Sequence, residues 1–406
     1  MHYRSTRRIL TLFLAVGLMT APMFGAIPHS KRRPVHRTTG AKARTTARTR
    51  SLRGGAHLTT VALVGHRPSS HLSRLAARRH AAFSPWAEPS FADSTAGDLV
   101  DGEDLIVRRA ATQALGPFNG TVVVVDPQSG RILSIVNQKL AYKSGFQPCS
   151  TIKLVAALAG LNEGIIDQES LLETGGKHSL TLTEAIARSN NPFFANVGTK
   201  LGYDRVTRYA KLFGLGEKAS TIEEERPGVW PVEPPADGGV GMMTSFGLGI
   251  TLTPLELAGL VSAIANGGTL YTLQHPRTLD EIAQFVPRVK RQLEVAPLIP
   301  HIKPGMMGAV EFGTARRAAF DPSAPIFGKT GTCTDKNSPT HLGWFGSFNE
   351  VGTKKLVVVV LLTGGGAING PVASGIAGAV YKNLEQQDYF GVGVNPMALI
   401  STACCR

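Results

Sequence analysis

The sequence predicts an α+β fold, in which an antiparallel sheet takes strands from both ends of one folded region and helices are inserted between them. Two observations predict it: β-rich runs open and close this region, and helical patterns fill the stretch between them. Composition is the third observation. Of the 406 residues, 43% are hydrophobic and 18% are charged, as in ordinary globular proteins. This excludes wholly disordered, collagenous and polytopic membrane proteins.

The sheet is predicted to begin with a β-hairpin, and a helix follows it. Residues 121–125 (Thr-Val-Val-Val-Val) and 131–136 (Arg-Ile-Leu-Ser-Ile-Val) are β-rich, and the Asp-Pro-Gln-Ser-Gly turn between them is typical of a hairpin. Apolar residues recur at helical spacing over Ser150–Glu163, with a proline shortly before this stretch and a glycine directly after it. These start and stop signals predict a helix.

Helices continue through the middle of the chain, and strands return near its end. Helical patterns cover residues 180–201, 204–213 and 255–265. Three further strands are predicted over residues 325–333, 343–348 and 355–363, and a closing helix over 372–384. The two early and three late strands together predict one five-stranded antiparallel sheet.

The positive charge of the chain is concentrated at its start. The formal net charge is +14, yet residues 1–87 hold 16 Lys and Arg and no acid, whereas residues 88–406 hold 27 Lys and Arg against 29 acids. The folded region is therefore nearly neutral. We expect no basic groove through it and no nucleic-acid partner.

The first residues are typical of an export signal. Three arginines precede an apolar run over residues 9–26, so residues 1–26 are predicted to be a signal anchor or a signal peptide. The run is near the lower length limit for spanning a bilayer, and the cleavage pattern after Ala26 is poor. We expect export to the periplasmic face of the cell envelope, with residues 9–26 as an inner-membrane anchor. Cleavage is the alternative.

Residues 27–100 are predicted to be a disordered basic linker. They are rich in Ser, Thr, Ala, Arg, Pro and Gly, and they hold too few large apolar residues to offset the entropy cost of ordering. The linker is either a solvated spacer or a tether that binds anionic lipid heads or acidic wall polymers. The folded domain is predicted over residues 101–393, followed by a tail over 394–406.

The first of three short motifs is Ser150-Thr151-Ile152-Lys153. On a helix, a spacing of three puts both functional side chains on one face, one turn apart. A serine hydroxyl needs an adjacent base to act as a nucleophile, and a lysine serves as that base only if its ammonium form is destabilised. A capping serine with a surface lysine is the alternative.

The second motif, Ser189-Asn190-Asn191, lies between helical stretches. The Ser189 hydroxyl suits a proton relay, and the Asn191 amide suits contacts with a substrate carbonyl and with the lysine. An ordinary cap and turn is the alternative.

The third motif, Gly328-Lys329-Thr330-Gly331-Thr332, lies on a β-rich run. A lysine, hydroxyls and a glycine on an edge strand predict an anion-binding face that a substrate approaches closely. A phosphate loop is excluded, because Ser323 stands where that motif needs glycine and a strand-like run follows instead of a helix.

In this order, the three motifs resemble those of the penicillin-recognising serine enzymes, and in particular the transpeptidase domains of penicillin-binding proteins. The resemblance covers roughly residues 115–385. Further segments that carry it are 146–149 (Phe-Gln-Pro-Cys), 185–188 (Ala-Ile-Ala-Arg), 245–249 (Ser-Phe-Gly-Leu-Gly), 253–258 (Thr-Pro-Leu-Glu-Leu-Ala), 265–268 (Ala-Asn-Gly-Gly) and 344–348 (Trp-Phe-Gly-Ser-Phe). It implies a β-lactamase/transpeptidase-like fold, with the five-stranded sheet flanked by helices and an all-helical subdomain.

The resemblance also implies the roles of the motif residues. Ser150 would be the acylated nucleophile, Lys153 its general base, and Ser189 the group that passes the proton to the leaving D-alanine. The N–H groups of Ser150 and Thr332 would form the oxyanion hole. The remaining substrate-binding positions are Asn191, Lys329, Thr330, Gly331 and Thr332. No cofactor is implied, and no histidine of the folded region shows metal-ligand spacing.

Cys149 and Cys333 flank the implied oxyanion hole. If Ser150 and Thr332 aim their N–H groups at one oxygen, the two cysteines come close, and a disulfide is expected, as at the matching positions of class A serine carbapenemases. Two buried free thiols are the alternative. In the tail, Cys404 and Cys405 are candidates for pairing with another chain.

Three functions compete. The first is a D,D-transpeptidase or D,D-carboxypeptidase that acts on D-Ala-D-Ala stem peptides of peptidoglycan and that β-lactams inhibit. The second is a serine β-lactamase, for which Glu223–Glu225 is in about the right region but lacks a Glu-x-x-Leu-Asn pattern. The third is a silent penicillin sensor, which the intact motifs disfavour. The family's usual pedestal domain has no counterpart before residue 101, so the division or elongation role and the protein partners stay open.

Overall fold

The computed structural model describes residues 84–174, 179–335 and 341–391. Within these residues, no helix is both long and apolar enough to cross a membrane. The predicted anchor or signal at 1–26 and the tail at 394–406, with its two cysteines, lie outside the described residues.

The main sheet has five strands in the order β2-β1-β9-β8-β7, and every neighbouring pair is antiparallel. Its strands are β1 (Gly120–Asp126), β2 (Arg131–Val136), β7 (Ile326–Thr334), β8 (His341–Asn349) and β9 (Val357–Gly364). Two small two-stranded sheets pair β3 (Leu172–Glu173) with β4 (Ser179–Leu180) and β5 (Thr269–Thr272) with β6 (Arg288–Gln292).

Helices cover both faces of the main sheet and form the helical part between β2 and β7. They are α1 (Leu105–Leu115), α2 (Gln138–Ala141), α3 (Lys153–Asn162), α4 (Leu182–Ala187), α5 (Asn191–Leu201), α6 (Tyr203–Leu212), α7 (Gly239–Phe246), α8 (Pro254–Ala265), α9 (Leu279–Ala283), α10 (Ile299–Glu311) and α11 (Gly370–Glu385). Short 3-10 helices cover Pro85–Ala87, Cys149–Ile152, Ala296–Leu298 and Arg316–Ala318.

Strand β1 shows how the sheet separates two cores. Val123 and Val125 pack in the core that includes α3, α5 and α8, whereas Val122 and Val124 pack in the core that includes α1 and α11. Because successive side chains of a strand point to opposite faces, a continuous valine run fits a strand that is buried on both sides. The predicted α+β class and the five-stranded antiparallel sheet are confirmed.

Several helical boundaries differ from the predictions. The pattern over 180–201 is two helices, α4 and α5, which meet at Ser189, a non-glycine residue with φ 55°. The helix expected from Ser150 begins as a 3-10 turn and becomes α-helical at Lys153. The sequence analysis did not identify α10, which contains Pro304 within its length.

The predicted linker boundary at residue 100 is too late, because residues 84–100 include a segment bound to the folded domain. The Ser94 hydroxyl donates to the Phe118 carbonyl at 2.8 Å. The Asp98 carboxylate accepts from the backbone N–H of Gln138 at 2.8 Å and pairs with Arg108 at 2.7 Å. Because hydrogen bonds and an ion pair hold this segment to the domain, it needs few large apolar side chains to be ordered. The prediction of disorder, which was based on composition, missed the segment for that reason.

Candidate active site

The first motif lies on a short turn that is fixed from two directions. The Trp344 indole of β8 donates to the Gln147 carbonyl at 2.9 Å, and the Gln147 amide donates to the Phe246 carbonyl at 2.8 Å. Cys149 has φ 54°, which is uncommon for a non-glycine residue. Ser150 follows it in the 3-10 turn that precedes α3 and is 9% exposed.

The Lys153 amine contacts three oxygens. Its Nζ is 2.6 Å from the Ser150 Oγ, 2.7 Å from the Asn191 Oδ1 and 2.6 Å from the Ser245 carbonyl oxygen. An ammonium group has three donors, whereas a neutral amine has two donors and one lone pair. Asn191 and Ser245 offer only acceptors to the amine, so in the neutral form Lys153 donates to both and keeps its lone pair for the Ser150 hydroxyl proton.

Two causes hold the pKa of Lys153 well below its usual value. The larger is burial of the side chain, which is 0% exposed, and the smaller is the positive charge of Lys329. The rings of Phe194 and Phe246 have their centroids 5.9 Å and 5.8 Å from the amine. Burial and the charge of Lys329 thus shift Lys153 toward the neutral amine, which is the form that a general base requires.

Two of the three polar side chains in the second motif contact different lysines. Asn190 caps α5 by accepting from the backbone N–H of Phe193 at 2.8 Å. Asn191, the first residue of that helix, contacts Lys153, and the Ser189 hydroxyl accepts from the Lys329 amine at 2.7 Å. The left-handed backbone at Ser189 lets one three-residue segment reach both amines.

Lys329 is also fully buried. Its amine donates to the Ser189 hydroxyl and, at 3.0 Å, to the carbonyl of Thr330. Burial lowers the pKa of Lys329 to about 7. Lys329 is thus a second buried amine of the site, and its charged form has the chemistry to attract an anionic group.

Strand β7 presents the third motif as the edge strand of the sheet. A Cβ on Gly331 would lie 3.0 Å from the Pro148 carbonyl oxygen, so a larger residue here would crowd the first motif. Thr332 is exposed, and its hydroxyl accepts from the backbone N–H of Gly370 at 2.8 Å. Thr330 is 4% exposed, and its Oγ1 lies 2.6 Å from the Thr314 Oγ1.

Cys149 and Cys333 form a disulfide in the structure, with their Cα atoms 5.5 Å apart. Both residues are buried. The bond joins the turn that carries the first motif to the edge strand that carries the third motif, 184 residues further along the chain.

The site includes groups that the sequence analysis did not assign. The Ser245 carbonyl and the rings of Phe194 and Phe246 surround Lys153, and Thr314 contacts Thr330. In the sequence, the Ser-Phe-Gly segment at 245–247 was a signal that could have pointed to the Ser245 carbonyl and the Phe246 ring. A Cβ on Gly247, which has φ 70°, would lie 2.5 Å from Pro148, so this segment must pass directly beside the first motif.

The acidic run Glu223–Glu225 has a structural part in the fold. The buried Glu225 carboxylate accepts from the backbone N–H groups of Ala219 and Ser220 at 3.1 Å and 2.8 Å, and from the Ser220 hydroxyl at 2.6 Å. Glu223 and Glu224 are exposed. Elsewhere in the described residues, no three or more His, Cys, Asp or Glu side chains cluster as metal ligands would.

The chain resembles known proteins in both sequence and structure. Stage V sporulation protein D of Bacillus subtilis is 28% identical over 312 residues, which cover 66% of this chain and 48% of that protein. Peptidoglycan D,D-transpeptidase PbpA of Mycobacterium tuberculosis is 25% identical over 334 residues, which cover 66% of this chain and 67% of that protein. The chain thus spans about half the length of the first relative and two thirds of the second.

Two solved structures share the fold. A D,D-transpeptidase domain of a peptidoglycan glycosyltransferase from Eggerthella lenta aligns with a TM-score of 0.58 at 20% identity, over 70% of this chain and 82% of that one. Pseudomonas aeruginosa PBP2 in complex with WCK 5153 aligns with a TM-score of 0.60 at 22% identity, over 73% of this chain and 79% of that one.

The family profile described as the penicillin binding protein transpeptidase domain matches residues 120–384, which is more than half of the chain and includes all three motifs. The match begins at β1 and ends in α11, so it takes in the whole main sheet. The chain therefore belongs to the penicillin-binding protein transpeptidase family.

Proposed function

We propose that this chain is a serine D,D-transpeptidase or D,D-carboxypeptidase that acts on D-Ala-D-Ala stem peptides of peptidoglycan through a Ser150 acyl-enzyme. The observation that carries the proposal is the Lys153 amine, fully buried and 2.6 Å from the Ser150 hydroxyl. Relatives whose names are peptidoglycan D,D-transpeptidases support the reaction class.

The first chemical step is acylation. As the Ser150 Oγ attacks the carbonyl carbon of the penultimate D-alanine, its proton moves to the Lys153 amine, which donates at the same time to Asn191 and the Ser245 carbonyl. The carbonyl oxygen becomes an oxyanion, which the N–H groups of Ser150 and Thr332 are proposed to bind. The carbon–nitrogen bond then breaks.

The leaving group needs a proton, and Ser189 is proposed to deliver it. Its hydroxyl accepts from Lys329, so its own hydrogen is free to point toward the amine of the departing D-alanine. Lys329, Thr330 and Thr332 are proposed to bind the terminal carboxylate of the substrate, or the carboxylate of a β-lactam inhibitor. Lys329 replaces the proton that Ser189 gives up. An amine or a water molecule then attacks the acyl carbonyl, its proton passes through Ser189 back to Lys329, and Lys153 returns its proton to the Ser150 Oγ as the ester bond breaks.

A β-lactamase needs a carboxylate that activates a deacylating water, and the geometry of the acidic run disfavours this alternative. The partners of the Glu225 carboxylate are in its own loop and at Thr253, at distances of 3.4 Å or less. A base that is already bonded to several donors is a poor acceptor for a water proton. We therefore expect a β-lactam adduct on this chain to be long-lived.

The proposal extends to the state and location of the chain. We propose that the Cys149–Cys333 disulfide forms in the exported protein, in keeping with an oxidising envelope compartment. Residues 9–26 are proposed to bring the chain to the inner membrane, with the catalytic domain on the periplasmic face. Separating membranes from the soluble fraction of the producing cell, with and without residues 1–26, tests this location.

Intact-mass spectrometry with benzylpenicillin tests the chemistry. We expect one adduct per wild-type chain, with a lifetime much longer than the time a β-lactamase needs for one turnover. Ser150→Ala should form no adduct. Rapid penicillin consumption without an adduct would replace the proposal with the β-lactamase reading. A folded wild-type chain that neither binds nor consumes penicillin would show the nucleophile assignment to be wrong. A stem pentapeptide offered with and without an acceptor amine then separates cross-linking from D-alanine release.

A further inference from the structure

Thr314 links the second and third motifs, although it belongs to neither. It follows α10, and its backbone N–H donates to the Ala187 carbonyl at 3.1 Å, two residues before Ser189. Its hydroxyl lies 2.6 Å from the Thr330 hydroxyl. Thr314 thus contacts both the segment that precedes the second motif and the strand that carries the third motif.

The residues before Thr314 hold this position in place. A Cβ on Gly313 would lie 2.1 Å from the Ala187 carbonyl oxygen, so the two backbones touch directly. The Phe312 ring has its centroid 5.7 Å from the Arg188 guanidinium, a cation–π distance. Three consecutive residues therefore pack on the segment that leads into Ser189.

The direction of the hydrogen bond between the two threonines follows from their other partners. The Ala187 carbonyl already accepts from the Thr314 N–H, and it is 3.5 Å from the Thr314 hydroxyl, which is a poor distance. The Thr314 hydroxyl is better placed to donate to the Thr330 Oγ1, 2.6 Å away. In that arrangement the Thr330 hydrogen is left free, on the strand that also carries the buried Lys329 cation.

We propose that Thr314 is a positioning residue for anion recognition: its hydroxyl donates to Thr330 and so directs the Thr330 hydrogen toward the carboxylate of the ligand. The inference rests on the proposed function, because it takes Thr330 to bind that carboxylate. The ligand class is a peptide or β-lactam with a free carboxylate beside the reacting carbonyl.

The test compares a ligand acid with its neutral ester in a background that cannot react. On Ser150→Ala, dissociation constants of benzylpenicillin and of its methyl ester are measured by NMR titration, alone and combined with Thr314→Val or Thr314→Ser. Thr121→Val is the matched control, since Thr121 is a buried strand threonine bonded to the Val136 carbonyl, away from the site.

We expect Thr314→Val to weaken binding of the acid by about tenfold, the size of one hydrogen bond to a charged ligand, and to leave binding of the ester unchanged. Thr314→Ser keeps the hydroxyl and is expected to restore binding of the acid. Thr121→Val changes neither. Equal effects on acid and ester, or no effect on either, overturn the inference, because a merely structural role does not distinguish the two ligands.

The outcome is separable from that of the proposed function. If the wild-type chain forms no adduct but Thr314→Val weakens only the acid in the Ser150→Ala background, the proposed catalysis is wrong and the role of Thr314 stands. If the wild-type chain is acylated and Thr314→Val leaves the binding of both ligands unchanged, the proposed catalysis stands and the proposed role of Thr314 is wrong. A folded chain that binds neither acid nor ester overturns both.

Discussion

Lys153 and Lys329 are both fully buried, yet their surroundings assign them opposite tasks. Lys153 contacts three oxygens within 2.7 Å, and its pKa is held well below the usual value first by burial and then by the positive charge of Lys329. Lys329 contacts a hydroxyl and a carbonyl, and burial alone brings its pKa only to about 7. The comparison teaches that burial brings the pKa of both lysines far below the usual value, and that a neighbouring positive charge lowers the pKa of Lys153 further.

Replacing each lysine with methionine should give the largest difference between them. We expect Lys153→Met to slow acylation by benzylpenicillin about a thousandfold, because the general base is lost, and to slow acylation by its methyl ester equally. Lys329→Met should slow the acid by about a hundredfold through the loss of a preorganised cation, and the ester much less. The measurement is the second-order rate of adduct formation, with circular dichroism as the control for folding.

Two outcomes with the same variants would contradict these expectations. If Lys329→Met slows acid and ester alike, Lys329 acts through Ser189 rather than through the carboxylate. If Lys153→Met retains most of the rate, the amine 2.6 Å from Ser150 is not the base.

Removing the disulfide should have a smaller effect. In Cys149→Ala/Cys333→Ala, the nucleophile turn and β7 keep their packing but lose a cross-link between positions 184 residues apart. We expect a loss of about 2–4 kcal/mol in the free energy of unfolding and a roughly tenfold slower acylation, because the two N–H groups of the oxyanion hole are less firmly aligned. Cys404→Ala/Cys405→Ala is the matched control. Equal stability of the two double variants, measured by urea denaturation, would contradict the expectation.

The pH dependence of acylation should show the smallest but most specific effect. In the free enzyme we expect the rate to rise with pH as Lys153 loses its proton, and to fall near pH 7 as Lys329 loses the charge that is proposed to bind the carboxylate. Lys329→Met should abolish the falling limb. It should also move the rising limb to higher pH, since removing a nearby positive charge raises the pKa of Lys153. A profile unchanged by the substitution would show that the two amines are not coupled.

The sheet was predictable from the sequence because its signals are local. A window of about ten residues is enough to recognise the valine run of β1, the turn after it and each of the three late strands. The helix α10 did not, because Pro304 within it and several glycines obscure the helical pattern, and packing against α4 decides its form. The bonds of residues 84–100 to the domain were also missed, because their partners are far away along the chain.

The site was predictable only where short motifs carry it. Ser150, Lys153, Ser189 and Lys329 come together through motifs that the resemblance identified. The Ser245 carbonyl is a backbone group, which no residue type marks in advance. Thr314 lies 16 residues before Thr330 and has an ordinary side chain, so only the folded structure brings it to attention.

The strand order has a consequence for the synthesis of the protein. Strand β9 lies between β1 and β8, although it is the last of the described strands to leave the ribosome. Until it arrives, the hairpin of β1 and β2 keeps an apolar edge unpaired, and such an edge attracts other chains. The helical part and two further strands of the main sheet are synthesised in that interval, so we expect the nascent domain to be more prone to self-association before β9 is made than after it.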